Sequence, residues 1–177
     1  MIRSSLLILA AGAASLVFAQ ENPQTAPLKQ SYNGIKNNFV KAAEEMGEDN
    51  YSFKPTPELQ TFGQRVAHIA DANARTCGAI KGEQKNLQAS SKTSKADLVA
   101  AVKESFDYCD SIFESITDND ASKMVSMGRG GERSELAVRW GLVAHDNEVY
   151  GTMTVYMRLK GMVPPSSAGR GGRGRGR

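Results

Sequence analysis

Four stretches of the chain repeat apolar residues every three or four positions, which is the spacing of one face of an α-helix. No stretch alternates polar and apolar residues as a half-buried strand would. Because a helix with one apolar face must bury that face against a neighbour, four such helices predict an all-α four-helix bundle. The four faces comprise Leu28, Tyr32, Ile35, Phe39, Ala43 and Met46; Phe62, Val66, Ile69, Asn73, Cys77 and Ile80; Leu98, Val102, Phe106, Cys109, Phe113 and Ile116; and Val138, Leu142, Val149 and Tyr156.

The sequence also indicates where the helices begin and end. Thr61 and Gln64 form a T-x-x-Q capping-box pattern, which predicts the start of the second helix. The third helix is expected to begin at Ser94 and the fourth at Ser134, because serine side chains cap free backbone N–H groups well. Helix ends are predicted by Gly47 and, after about Lys160, by Gly161 and Pro164-Pro165.

The connections between these helices are long for a simple up-and-down bundle. They cover roughly residues 47–60, 82–94 and 117–133. The third contains SMGRGGERS, a flexible and basic stretch. Connections of this length predict crossovers that run back along the bundle rather than tight turns.

The two cysteines, Cys77 and Cys109, both lie on apolar faces. A disulfide is the favoured interpretation in an exported protein, and two buried free thiols are the alternative. Each cysteine lies about fifteen residues after its helix start, so the sulfur atoms reach the same depth only if the second and third helices are parallel. The disulfide and a crossover through residues 82–94 are therefore predicted together.

The first residues have the order of a secretory signal peptide. One basic residue, Arg3, precedes an apolar run, and Val17 and Ala19 fit the small-residue rule for cleavage. We expect residues 1–19 to be removed and the mature protein to be periplasmic or secreted; an uncleaved anchor helix is the alternative.

Three further segments follow from this interpretation. Residues 20–29 are expected to be a linker, residues 30–165 the bundle, and residues 166–177 a disordered tail rich in Gly and Arg. The net charge of the whole chain is +3, but Arg3 and four tail arginines together carry more positive charge than this. The bundle itself is therefore mildly acidic, and no specific nucleic-acid binding is expected.

The stretch HDNEVYG, residues 145–151, raises the question of a metal site. Two ligands four residues apart on a helix can hold one ion, but the residue one turn after His145 is Val149. The chain contains only one other histidine, His68, in the second helix. Spacing alone favours core histidines over metal ligands.

Two longer segments carry a family resemblance. FGQRVAHIADAN (62–73) and HDNEVYGTMTVYMRLKGMVPPSS (145–167) resemble the DinB/YfiT family of four-helix-bundle metalloenzymes, and more narrowly its exported bacterial branch. SKADLVAAVKESFDYCD and GRGGERSE fit as well, so the resemblance extends over about residues 30–167.

The resemblance implies a divalent metal held by three histidines, one from the second helix and an H-x-x-x-H pair from the fourth. The first two fall on His68 and His145; the third falls on Val149, which cannot bind a metal. Glu148 or Asp71 could complete a site of two histidines and one carboxylate, although we favour a role for both as hydrogen-bond partners that fix the imidazoles, or as side chains that face solvent. Weak or absent binding of Zn²⁺, Ni²⁺ or Fe²⁺ is therefore expected.

These observations favour a weak metal-binding, ligand-binding or scaffold protein. The alternative is a metal-dependent hydrolase or thiol transferase, as the resemblance implies, with the site completed by a carboxylate or water. An unknown small molecule and a second copy of the chain are the expected partners. The arginines of the tail could contact anionic envelope lipids or polysaccharides, but a terminus without a binding role is the favoured interpretation.

Overall fold

The computed structural model describes residues 22–168, which form a bundle of four long helices. The helices are α1 (Thr25–Glu45), α2 (Phe62–Lys81), α3 (Lys95–Ser115) and α4 (Glu135–Leu159). Two three-residue strands, β1 (Met124–Ser126) and β2 (Glu132–Ser134), pair antiparallel before α4. Short 3₁₀ turns lie at Glu48–Asn50, Ala89–Ser91, Gly128–Gly130 and Pro165–Ser167. The predicted all-α bundle is thus confirmed.

Helices α2 and α3 run parallel, as the cysteine positions predicted. Cys77 and Cys109 form a disulfide with their Cα atoms 5.6 Å apart. Near the other end of the pair, the two helices approach so closely that a Cβ at Gly63 would lie 3.3 Å from Leu98 Cδ1. Gly82 ends α2 with a φ of +73°. The chain then runs back along α2, so that α3 begins at the same end of the bundle as α2 does. The predicted crossover is therefore present.

Helix α1 runs antiparallel to α3. Lys36 of α1 contacts Asp110 of α3, whereas Glu44, further along α1, contacts the earlier residue Lys103. Helix α4 packs between α1 and α2 and runs antiparallel to α2. The core between the four helices is rich in aromatic and sulfur-containing side chains, the largest of which are Tyr32, Phe39, Met46, Phe62, Phe106, Phe113, Met153, Tyr156 and Met157.

The predicted helix starts are confirmed. Gln64 N–H donates to the Thr61 side chain and Thr61 N–H donates to Gln64 Oε1, which completes the capping box at the start of α2. The side chains of Ser94 and Ser134 accept hydrogen bonds from backbone N–H groups at the starts of α3 and α4. These contacts satisfy N–H groups that have no partner inside their own helix.

The structure differs from the expectations at both edges of the bundle and in the last connection. Helix α1 begins at Thr25, inside the segment 20–29 expected to be a linker, because Asp118 accepts hydrogen bonds from the N–H groups of Gln24 and Thr25. The last connection, expected to be flexible, contains the β1–β2 hairpin.

At the other edge, a 3₁₀ turn lies inside the segment 166–177 expected to be a tail. It is held by Tyr150 Oη, which accepts a hydrogen bond from Ser166 N–H. The predicted signal peptide and the Arg-rich end of the tail lie outside the described residues. Within residues 22–168, no helix has the length and hydropathy needed to cross a bilayer.

Candidate metal centre

The two histidines of the chain meet between α2 and α4. The Nε2 atoms of His68 and His145 are 2.9 Å apart, and their ring planes are inclined by 66°. Both side chains are partly buried at this helix contact. The antiparallel packing of α2 and α4 therefore brings together two imidazoles that are 77 residues apart in the sequence.

A buried polar pair lies behind His145. Asp146 is completely buried, and its Oδ1 is 3.8 Å from His145 Nδ1. The other oxygen of Asp146 accepts a hydrogen bond from Asn73 Nδ2. A carboxylate on the Nδ1 side of a histidine favours a proton on Nδ1 and leaves the Nε2 lone pair free to bind, as in many metal sites. Sequence reasoning missed Asp146, although its position next to His145 was a signal.

The two histidines differ in their affinity for protons. The Asp146 carboxylate facing its ring raises the pKa of His145 above the ordinary value, despite partial burial. Burial, followed by the positive charges of His145, Arg75 and Arg65, lowers the pKa of His68. Burial also raises the pKa of Asp146. His68 therefore loses its proton more readily than His145 does.

Val149, at the position where the resemblance implies a third histidine, is buried at 6% exposure. Its side chain has no donor atom, so α4 supplies one imidazole instead of two. Two imidazole nitrogens bound to one ion at about 2.1 Å lie about 3.0 Å apart at a right angle and about 3.4 Å apart at the tetrahedral angle. The observed 2.9 Å agrees with neighbouring positions on one ion and also with a direct hydrogen bond between the rings. The residues present therefore fit an ion held by two ligands.

Neither carboxylate considered as a third ligand joins the pair. Asp71 accepts hydrogen bonds from the N–H groups of Ala89 and Ser90, at distances of 2.8 and 3.0 Å. It thereby ties the crossover to α2 instead of fixing an imidazole. Glu148 is exposed to solvent. Among residues 22–168, no group of three or more His, Cys, Asp or Glu side chains is arranged to hold an ion.

A cleft of about 630 Å³ opens beside His68. It follows the outer face of α2 and is closed on one side by the crossover and on the other by the segment before α2. Arg75 and Lys92 contribute positive charge to its walls, and Tyr51 and Leu98 contribute apolar surface. His145 faces a smaller cavity of about 220 Å³ toward the β1–β2 hairpin. Small molecules can therefore reach the histidine pair through these cavities.

Solved structures of similar fold include proteins from three bacteria. A DinB-like protein from Bacillus cereus matches with a TM-score of 0.63 at 20% identity, covering 79% of this chain and 95% of its own. A DinB-like protein from Bacillus subtilis matches with a TM-score of 0.63 at 19% identity, covering 77% and 94%. A conserved protein from Enterococcus faecalis matches with a TM-score of 0.62 at 11% identity, covering 76% and 95%. At these identities the likenesses show the fold alone.

Sequence comparison places the chain in a family. No curated protein matches the chain significantly. The family model of the DinB superfamily matches residues 34–153, which include both histidines, the disulfide and most of the four helices. The chain belongs to the DinB superfamily.

Proposed function

We propose that this protein is an exported DinB-domain protein that binds a divalent transition-metal ion weakly through His68 and His145. The observation that carries the proposal is the 2.9 Å separation of the two Nε2 atoms. The remaining positions on the ion would be open to water or to a small ligand. The protein would serve as a binding or scaffold domain.

The donor set supports weak binding of Zn²⁺, Ni²⁺ or Fe²⁺. Imidazole nitrogen suits all three ions, and the carboxylate of Asp146 supports His145 from behind. Two protein ligands hold an ion less firmly than the three or four of typical zinc sites. Val149 places an apolar side chain at the third position, which adds no binding energy.

Two features support export. The first nineteen residues have the order of a signal peptide, and the disulfide between Cys77 and Cys109 is of the kind that persists in oxidising compartments. Fractionation of the native host and determination of the mature N-terminus test this part. We expect a mature chain beginning at Gln20 outside the cytoplasm; a cytoplasmic chain that retains Met1 would contradict it.

The cleft beside His68 favours a second candidate function, a metal-dependent hydrolase or thiol transferase. A bound divalent ion lowers the pKa of a water or thiol attached to it, so that a nucleophile forms at neutral pH. In this candidate His68 and His145 hold the ion, and the cleft orients the substrate. Assays of hydrolysis and thiol transfer with the metal-loaded protein distinguish it from the binding function.

Metal binding is tested on protein purified without a chelating tag. We expect the wild type to bind Co²⁺ or Zn²⁺ at one site in calorimetric titration. His68→Ala and His145→Ala should each abolish this binding, because one imidazole remains. Asn33→Ala, an exposed position on α1, is the matched control and should bind as the wild type does. Equal binding by all four proteins would place the ion elsewhere and overturn the proposal.

If Glu148→Gln also loses the metal, an exposed carboxylate completes the site. That result would favour the enzyme over the binding domain.

A further inference from the structure

We propose that the missing third ligand is supplied from outside, by the carboxylate of a small organic acid that Arg75 holds in the cleft beside His68. This inference rests on the proposed metal binding and names the ligand class for the same site. Two histidines and one carboxylate form a known ligand set for divalent iron and related ions. Here the carboxylate would belong to the ligand and not to the protein.

Arg75 is available to bind such a ligand. It is exposed, and it forms no hydrogen bond or ion pair with another side chain among the described residues. The acid one turn before it, Asp71, would be its natural helical partner. However, both oxygens of Asp71 are occupied by the N–H groups of Ala89 and Ser90. The crossover therefore takes up the acid that would otherwise neutralise Arg75.

The position of Arg75 suits a group that bridges to the metal. It follows His68 by seven residues, which places it on nearly the same face of α2 about 10 Å further along the axis. Long side chains on a helix lean toward its N-terminus, so the guanidinium of Arg75 leans toward His68. Its charge acts on both His68 and His145. A planar guanidinium binds a carboxylate through paired hydrogen bonds.

The other arginine near His68 is already engaged. Arg65 donates from Nε to Tyr156 Oη at 3.3 Å, and its guanidinium lies over the Tyr156 ring. Arg65 and Arg75 nevertheless both add positive charge beside His68. Among residues 22–168 no carboxylate joins His68 and His145 in a group of three ligands, so a divalent ion held by this pair would be stabilised by an anion in its coordination shell. This electrostatic balance favours a carboxylate over water at the open positions.

The cleft has room for the rest of such a molecule. Its lining includes His68, Arg75 and Lys92, and the partly apolar walls of Tyr51 and Leu98 lie against Gly63 at the start of α2. A short chain attached to the carboxylate would lie along α2 toward those walls. The cleft therefore fits a linear acid of a few carbon atoms better than an inorganic anion.

The experiment uses the mature protein loaded with Co²⁺, with hexanoate as the probe and hexanamide as its neutral counterpart. Hexanoate should change the visible absorption of bound Co²⁺ in a saturable way, and hexanamide should not. Because linkage is reciprocal, hexanoate should also tighten Co²⁺ binding by the same factor as Co²⁺ tightens hexanoate binding.

Arg75→Gln should weaken hexanoate binding at least about tenfold while leaving Co²⁺ affinity without hexanoate unchanged or slightly higher, because a positive charge is removed. Arg158→Gln, at the exposed end of α4, is the matched control and should respond as the wild type does.

The outcomes separate the two proposals. If Co²⁺ fails to bind at His68 and His145, the proposed function fails and this inference fails with it. If Co²⁺ binds but hexanoate leaves its spectrum unchanged, or acts equally on Arg75→Gln, the metal site stands and the inference is wrong. An equal response to inorganic phosphate would show a general anion site and would also overturn the assignment to organic acids.

Discussion

Asp146 lies directly behind His145, with its Oδ1 3.8 Å from Nδ1, while the opposite nitrogen of the ring faces His68. The carboxylate is completely buried, and one of its oxygens has no hydrogen-bond partner among the described residues. Burying a carboxylate away from water costs free energy, so the position of Asp146 beside a histidine points to a role in orienting that ring.

Replacing Asp146 by Asn should weaken Co²⁺ binding about tenfold, because the amide lacks the charge that favours a proton on Nδ1. The free energy of unfolding should stay unchanged or rise, since a buried charge is removed. Calorimetric titration measures the first quantity and urea unfolding the second. Glu114→Gln, an exposed position on α3, is the control. Wild-type affinity in Asp146→Asn would show that the carboxylate does not orient the ring.

Val149→His should tighten metal binding about tenfold or more, because it adds a third imidazole one turn after His145. Competition with a coloured chelator measures the change. Val155→His, an exposed position on the same helix, controls for an added histidine as such. If the two variants bind the ion equally, the third ligand position has been assigned to the wrong residue.

Metal affinity should fall in acid. An ion must displace the proton of His145, whose pKa lies above the ordinary 6.5 because of Asp146, whereas the lowered pKa of His68 makes that ring the easier of the two to deprotonate. The affinity for the ion should therefore fall as the pH drops through the pKa of His145, by about tenfold for each pH unit below that pKa.

Titrations with Co²⁺ from pH 8 to 5.5 measure this loss. In Asp146→Asn the decline should begin at a lower pH. An affinity that is constant over this range would rule out His145 as a ligand.

The local features of this fold could be predicted from the sequence, because short-range chemistry determines them. The Thr61–Gln64 capping box and Gly161, the glycine after α4, act within one turn of helix. The positions of Cys77 and Cys109 added one long-range constraint, and it determined the parallel packing of α2 and α3.

Features that depend on distant residues could not be predicted in this way. The start of α1 depends on Asp118, more than ninety residues later, and the burial of Asp146 depends on Asn73 in another helix. The strands of the hairpin have three residues each, too few for alternation to be recognised.

Reduction of the Cys77–Cys109 bond should lower the free energy of unfolding by about 3.7 kcal/mol in the chain-entropy treatment of a loop of this length. Urea unfolding with and without dithiothreitol measures the difference. The double variant Cys77→Ala, Cys109→Ala is the control: dithiothreitol should leave its stability unchanged. Equal stability of the oxidised and reduced wild type would mean that the bond does not constrain the unfolded chain.

Asp118 should make the stability of α1 depend on pH. Its carboxylate is partly desolvated, but hydrogen bonds from Gln24 and Thr25 outweigh this effect and hold its pKa below the ordinary 3.8. A carboxylate with a lowered pKa in the folded state stabilises the protein above the ordinary value, and this contribution is lost as the pH falls through the lowered pKa. Asp118→Asn should therefore lower Tm at pH 7.

The difference in Tm between the wild type and Asp118→Asn should shrink as the pH falls below about 4, where the carboxylate of the unfolded chain takes up a proton, and should be lost below the lowered pKa of the folded state. Thermal unfolding across this range measures it, and hydrogen exchange at the first N–H groups of α1 localises the effect. Asp49→Asn, an exposed position whose side chain accepts no hydrogen bond among the described residues, should follow the wild type at every pH. A Tm difference that does not change with pH would mean that Asp118 acts through packing and not through its charge.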